Sequence, residues 1–136
     1  MAPPLSTPLS TFAIAGRAMA AQLVRLNTTA SNLANAGAVS GTEAGAFRAL
    51  KPVFTTAYDG ARATVDVSSI TRTGTPEKRN DPKHPLADAD GNIWIAAVDP
   101  NQEMVEMVET SRQYANNVEV LTTAKALALD TLRLGR

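Results

Sequence analysis

The chain has 136 residues, with 13 Lys plus Arg balanced by 13 Asp plus Glu and no cysteine. That length holds one ordinary domain or a helical body with an insert. The charge balance lacks the basic surplus that nucleic acid or an anionic membrane rewards, and the missing cysteines exclude disulfides, thiolate metal sites and a cysteine nucleophile.

The opening MAPPLSTPLS has no basic residue and no apolar run of signal-peptide length, so no cleaved leader is expected and residues 1–9 read as a flexible N-terminus. Thr7-Pro8 supplies a side-chain cap and a first-turn proline for a helix running to Asn35, with Gly37 as its stop; the helical segment is residues 10–37. Phe12, Gly16, Met19, Leu23, Leu26, Ala30 and Leu33 follow four-three spacing, a seam that packs along another helix. Several members are small, so the helix needs a partner.

Residues 38–98 read as a β-rich insert. Phe47 to Thr55, Ala61 to Ile70 and Asn92 to Val98 are predicted as three short strands, with β-branched residues or large apolar side chains such as Trp94. Thr73 to Gly91 holds Pro76, Pro82 and Pro85 among charged residues and reads as a loop. Within it, Asp81, His84, Asp88 and Asp90 do not reproduce a calcium-loop spacing. His84 is the only histidine and has no neighbouring nucleophile motif. Gly37, Gly41 and Gly45 lack the Lys-Ser/Thr of a phosphate loop. No catalytic residue, metal or cofactor is expected.

Residues 99–136 form a second helical segment. Asp99-Pro100-Asn101-Gln102 has the residues of a capped start, and no Gly or Pro follows until the chain's last residues. A helix of about 35 residues extends on the order of 50 Å. Its apolar stripe reads Met104, Met107 or Val108, Ser111, Tyr114 or Ala115, Val118, Leu121, Lys125, Ala128 or Leu129, and Leu132, while Glu103, Glu106 and Glu109 are assigned to a solvated face. No apolar stretch approaches the roughly 20 residues of a membrane span. The fold class is therefore mainly α with a small β insert: an antiparallel, coiled-coil-like pair of long terminal helices, the second overhanging the first by roughly 10 residues. Of Asn27, Asn32, Asn35, Asn116 and Asn117, the bland role is capping or solvent exposure, and the sharper one is a hydrogen bond across helices that sets their alignment.

TASNLANA at residues 29–36 and EMVEMVETSRQYANNVEVLTTAK at residues 103–125 resemble the N- and C-terminal signatures of the flagellar axial proteins, the rod and hook family. The loop DPKHPLADADGN and the short chain are similar to the proximal rod members. The resemblance implies a non-enzymatic subunit of the basal-body rod, exported without a cleaved signal and crossing the periplasm within the rod. It implies as partners further copies of itself, other rod proteins, a motor-ring or export-gate adaptor and distal rod subunits, with no nucleic acid and no direct membrane span. The assembly surface is expected at Phe12, Met19, Leu23, Leu26, Asn32, Leu33 and Asn35 of the first helix. On the second it is expected at Met104, Met107, Val108, Arg112, Tyr114, Val118, Leu121 and Leu132. The alternatives are another axial component, or a soluble coiled-coil adaptor or export chaperone.

Overall fold

The computed structural model describes residues 10–60 and 62–135. Helix α1 spans Thr11–Asn35 and helix α2 spans Pro100–Leu134. The Thr7-Pro8 start lies outside the described residues; the described helix is capped by Ser10, whose hydroxyl accepts from the Ala13 amide. At its other end Gly37, with φ of +78°, supplies the left-handed residue that turns the chain away. The Asp99 carboxylate accepts from the amides of Asn101 and Gln102, and Pro100 occupies the first turn of α2, where no donor is missed.

The two helices are antiparallel and in step. Gln22 faces Gln113 and Asn32 faces Glu103, so a ten-residue advance along α1 matches a ten-residue retreat along α2. Phe12 shares a groove with Ala124 and Leu127, so the last ten or so residues of α2 run past the described start of α1. No helix among the described residues is long and apolar enough to cross a membrane.

The segment between the helices is not a small insert, and the expectation of a mainly α fold is corrected. Helix accounts for 48% of the structure and strand for 28%, in two sheets, so the fold mixes the two classes. One sheet is a long antiparallel hairpin, β2 (Ala49–Asp59) with β3 (Arg62–Thr73), irregular between Val53 and Phe54. The other is three-stranded and antiparallel, with β5 (Asn92–Ile95) between β1 (Val39–Ser40) and β4 (Glu77–Asn80). Glu77–Asn80 falls inside the stretch read as a loop. Its four side chains are all polar and exposed, so it has no apolar alternation, and backbone pairing with β5 makes it a strand. The sheets are joined where the Ala49 amide donates to the Ala97 carbonyl and the Ala97 amide to the Phe47 carbonyl.

Two carboxylates of the Pro-rich loop are occupied in turns: Asp88 Oδ1 accepts from the amides of Asp90 and Asn92, and Asp81 Oδ1 from the Lys83 amide. Among the described residues the buried apolar side chains are Ala15, Ala21, Ala46, Ala49, Pro76, Ile93 and Ala96. Only Ile93 is large, so the interior is a thin, alanine-lined layer while most large apolar side chains lie near or at the surface.

Candidate assembly interface

The faces that α1 and α2 turn toward each other are largely small and polar, with Met107, Tyr114 and Leu121 as the large members on α2. On α1 they are Ala15, Ala18, Gln22, Arg25, Thr29 and Asn32; on α2 they are Glu103, Met107, Thr110, Tyr114, Asn117, Leu121 and Ala124. Both runs keep alternating steps of three and four, and every member is buried or half-buried. The small residues let the helix axes approach closely, and Thr110, wholly buried, satisfies its hydroxyl by donating to the Glu106 carbonyl of its own helix.

At one end this seam is closed by a buried polar cluster. Asn32 Nδ2 donates to Glu103 Oε2 at 2.9 Å and to the Leu50 carbonyl at 3.0 Å, while the Leu50 amide donates to Asn32 Oδ1 at 2.7 Å. Lys51 reaches Glu103 Oε1 at 2.9 Å. Asn32 and Glu103 are 0% and 2% exposed, so each depends on these partners for what water would otherwise supply. α1, β2 and α2 thus meet at one amide and one carboxylate. Farther along, Arg25 pairs with Glu106, and Gln22 Nε2 donates to Gln113 Oε1. The assignment of the early glutamates to a solvated face holds for Glu109; Glu103 is buried and Glu106 half-buried. Their signal in the sequence is a heptad of polar and small residues, which a search for apolar periodicity passes over.

The apolar stripes sit one residue further round. On α1 this is Phe12, Gly16, Met19, Leu23, Leu26, Ala30 and Leu33, of which Phe12 and Leu23 are exposed and Met19, Leu26 and Leu33 half-buried. On α2 it is Met104, Val108, Ser111, Ala115, Val118, Thr122, Lys125, Leu129 and Leu132, all exposed. One residue is a 100° turn about a helix. Because the helices run in opposite directions, that turn carries both stripes to the same side of the pair, where they form one mostly apolar face, interrupted on α2 by Ser111, Thr122 and Lys125. The opposite side of α1 is covered by the β2–β3 hairpin: Arg17 pairs with Asp66 at 3.1 Å, and Ala21 and Thr28, on the same stripe, are buried.

The residues expected at an assembly surface therefore divide. Phe12, Met19, Leu23, Leu26, Leu33, Met104, Val108, Val118 and Leu132 belong to the open face. Met107, Tyr114 and Leu121 lie in the seam between the helices, and Asn32 is enclosed in the polar cluster. Arg112 is exposed beyond the apolar face, and Asn35 donates its amide to the Ser31 carbonyl within α1.

Two family models match this chain: residues 12–41 match "Flagella basal body rod protein", and residues 89–134 match "Flagellar basal body rod FlgEFG protein C-terminal". The chain is 45% identical over 131 residues to the flagellar basal-body rod protein FlgC of Salmonella typhimurium, covering 94% of this chain and 98% of that one. It is 44% identical over 131 residues to the same-named protein of Escherichia coli O157:H7, with the same coverage. To that of Aquifex aeolicus it is 32% identical over 117 residues, 84% of this chain and 87% of the relative.

Proposed function

We propose, from the premise that the chain belongs to the flagellar basal-body rod family and is a structural subunit of that rod, that it assembles through the apolar face of its terminal helices. The observation that carries this reading is the apolar face shared by both helices, which stays open while the opposite side of α1 is covered by the hairpin; α2 bears further exposed apolar side chains, Val105, Val120 and Leu127, off that face. Leu23, Met104, Val108 and Val118 keep 40% to 59% of their surface in solvent. Completing their burial contributes about 1 kcal/mol each, a sum of the size needed to offset ordering and association when several neighbours share it.

In this reading residues 10–37 and 99–136 are the helical core, residues 38–98 project outward as the insert, and the open face of one subunit meets a different surface of the next. A heterologous contact whose rotation does not close builds a helical tube, which can transmit torque. The position is the proximal rod, crossing the periplasm. The subunit arrives by the flagellar export route without a cleaved signal, and its neighbours are its own copies, other rod proteins, an adaptor at the motor ring or export gate, and the distal rod. No reaction is assigned to it. His84 accepts a backbone bond from Leu86 at Nδ1, which supports a turn-forming role for the one imidazole.

A photo-crosslinking residue at Val118 in motile cells tests the reading. Crosslinks to copies of this chain or to other rod proteins in isolated basal bodies are the expected result. Crosslinks confined to a small soluble complex would instead favour an adaptor or chaperone.

A further inference from the structure

Two helices that each carry an apolar heptad stripe would be expected to bury those stripes against each other, since apolar burial is the larger driving force. They do not. The pair encloses the neighbouring, largely small and polar stripes and leaves the more apolar ones exposed or half-buried. Rolling each helix by about 100° would bring the apolar stripes into the seam and carry the present seam stripes to the far side of each helix, without changing either helix's backbone hydrogen bonds. The roll would give up the hairpin packing on α1, the places of Met107, Tyr114 and Leu121 in the seam, and the Arg25–Glu106 and Gln22–Gln113 pairs.

Among the contacts that such a roll breaks, the polar cluster is the one that ties both helices and the hairpin together at a single point. We infer that Asn32, Glu103 and Lys51 are positioning residues that hold the helix pair in one rotational phase, and so keep the chain from burying its own assembly surface. Asn32 is bonded to both the donor and the acceptor of Leu50 in β2, which ties the phase of α1 to the hairpin. Glu103 is bonded to Asn32 and Lys51, which ties the phase of α2 to both. A roll of either helix breaks these bonds together and strands a carboxylate and an amide that are at most 2% exposed. Buried polar groups of this kind trade stability for a single arrangement, as a lone buried asparagine does in a coiled coil. The inference rests on the reading of the open face as the assembly surface, and its test needs no assembly.

The chain has no cysteine, so one introduced thiol reports one position. Cysteine is placed at Val108, on the open stripe, or at Thr110, wholly buried in the seam. Each is combined with the wild-type cluster, with Asn32→Ala/Glu103→Ala, or with Glu103→Gln, which keeps an acceptor for Asn32. Maleimide labelling is followed on the purified free chain, with circular dichroism recorded alongside. With the cluster intact, and with Glu103→Gln, the thiol at position 108 should react at least tenfold faster than that at 110. In the double variant the order should invert at unchanged helical content. Retention of the wild-type order in the double variant would mean that something else sets the phase. Fast reaction at both positions, with loss of helix, would mean that the cluster holds the fold and not its phase. Fast reaction at both positions in the intact chain would mean that no phase is set. Each of these overturns the inference.

Discussion

Replacing Val108 by Asp separates assembly from folding most cleanly. Val108 lies in the middle of the open face of α2 and is 52% exposed in the single chain. In the free protein the change is small: the new carboxylate points into water, valine and aspartate have similar helix propensities, and Arg112 stands four residues on to pair with it. The unfolding free energy should stay within about 0.5 kcal/mol of wild type. In an assembled rod the same position loses the remaining half of a valine's burial, about 1 kcal/mol, and must desolvate or expel a charge, a further cost of about 2 kcal/mol or more. A penalty of about 3 kcal/mol per contact weakens association more than 100-fold. Thermal melting followed by circular dichroism measures the first effect. Swimming, and the amount of the chain recovered in basal bodies, measure the second. A strain that makes Val108→Asp at normal levels, swims and carries normal amounts of it in the rod would refute the reasoning.

Other substitutions act inside the subunit. Leu121 is half-buried in the seam facing α1, so Leu121→Ala should lower the melting temperature of the free chain, by about 1–2 kcal/mol of stability, before any effect on the rod. Lys51→Met leaves Glu103 with Asn32 alone. Because Lys51 is 36% exposed, the loss should be about 1–2 kcal/mol in urea titrations and not the larger cost of a fully buried pair. At Gly91, φ is +77° and an added Cβ would meet three atoms of Pro82 at 2.9 to 3.2 Å, so Gly91→Ala should destabilise by about 1–3 kcal/mol and Gly16→Ala, with open space around it, should not.

The start of α2 and the stop of α1 were readable because capping is local chemistry: Asp99 before Pro100, and Gly37 after Asn35, act within a turn of where they stand. The apolar stripes were readable as stripes because a 3.5-residue period survives any environment. What periodicity cannot report is which molecule covers a stripe. The facing surfaces of α1 and α2 are made by the stripe one residue earlier, whose Gln22, Arg25, Asn32 and Glu103 look solvent-facing until Gln113, Glu106, Leu50 and Lys51 are brought beside them. The strand Glu77–Asn80 was hidden for a related reason. Its order comes from backbone bonds to Asn92–Ile95 and from Lys78 lying 5.8 Å over the Trp94 ring, contacts set by a strand more than ten residues away. The size of the β region followed from the same blindness, since Thr56 to Asp59 and Thr71 to Thr73 extend the hairpin by pairing with each other's strand and not by burying an apolar face.

Single cysteines at Leu23 and Met104, which are 46% and 59% exposed on the open face, give the most direct test of where the chain's uncovered apolar surface goes. Their maleimide reaction rates should be high in the purified subunit and at least tenfold lower in intact basal bodies. Equal rates in the two states would mean that this face stays in water after assembly and that the rod is held together elsewhere.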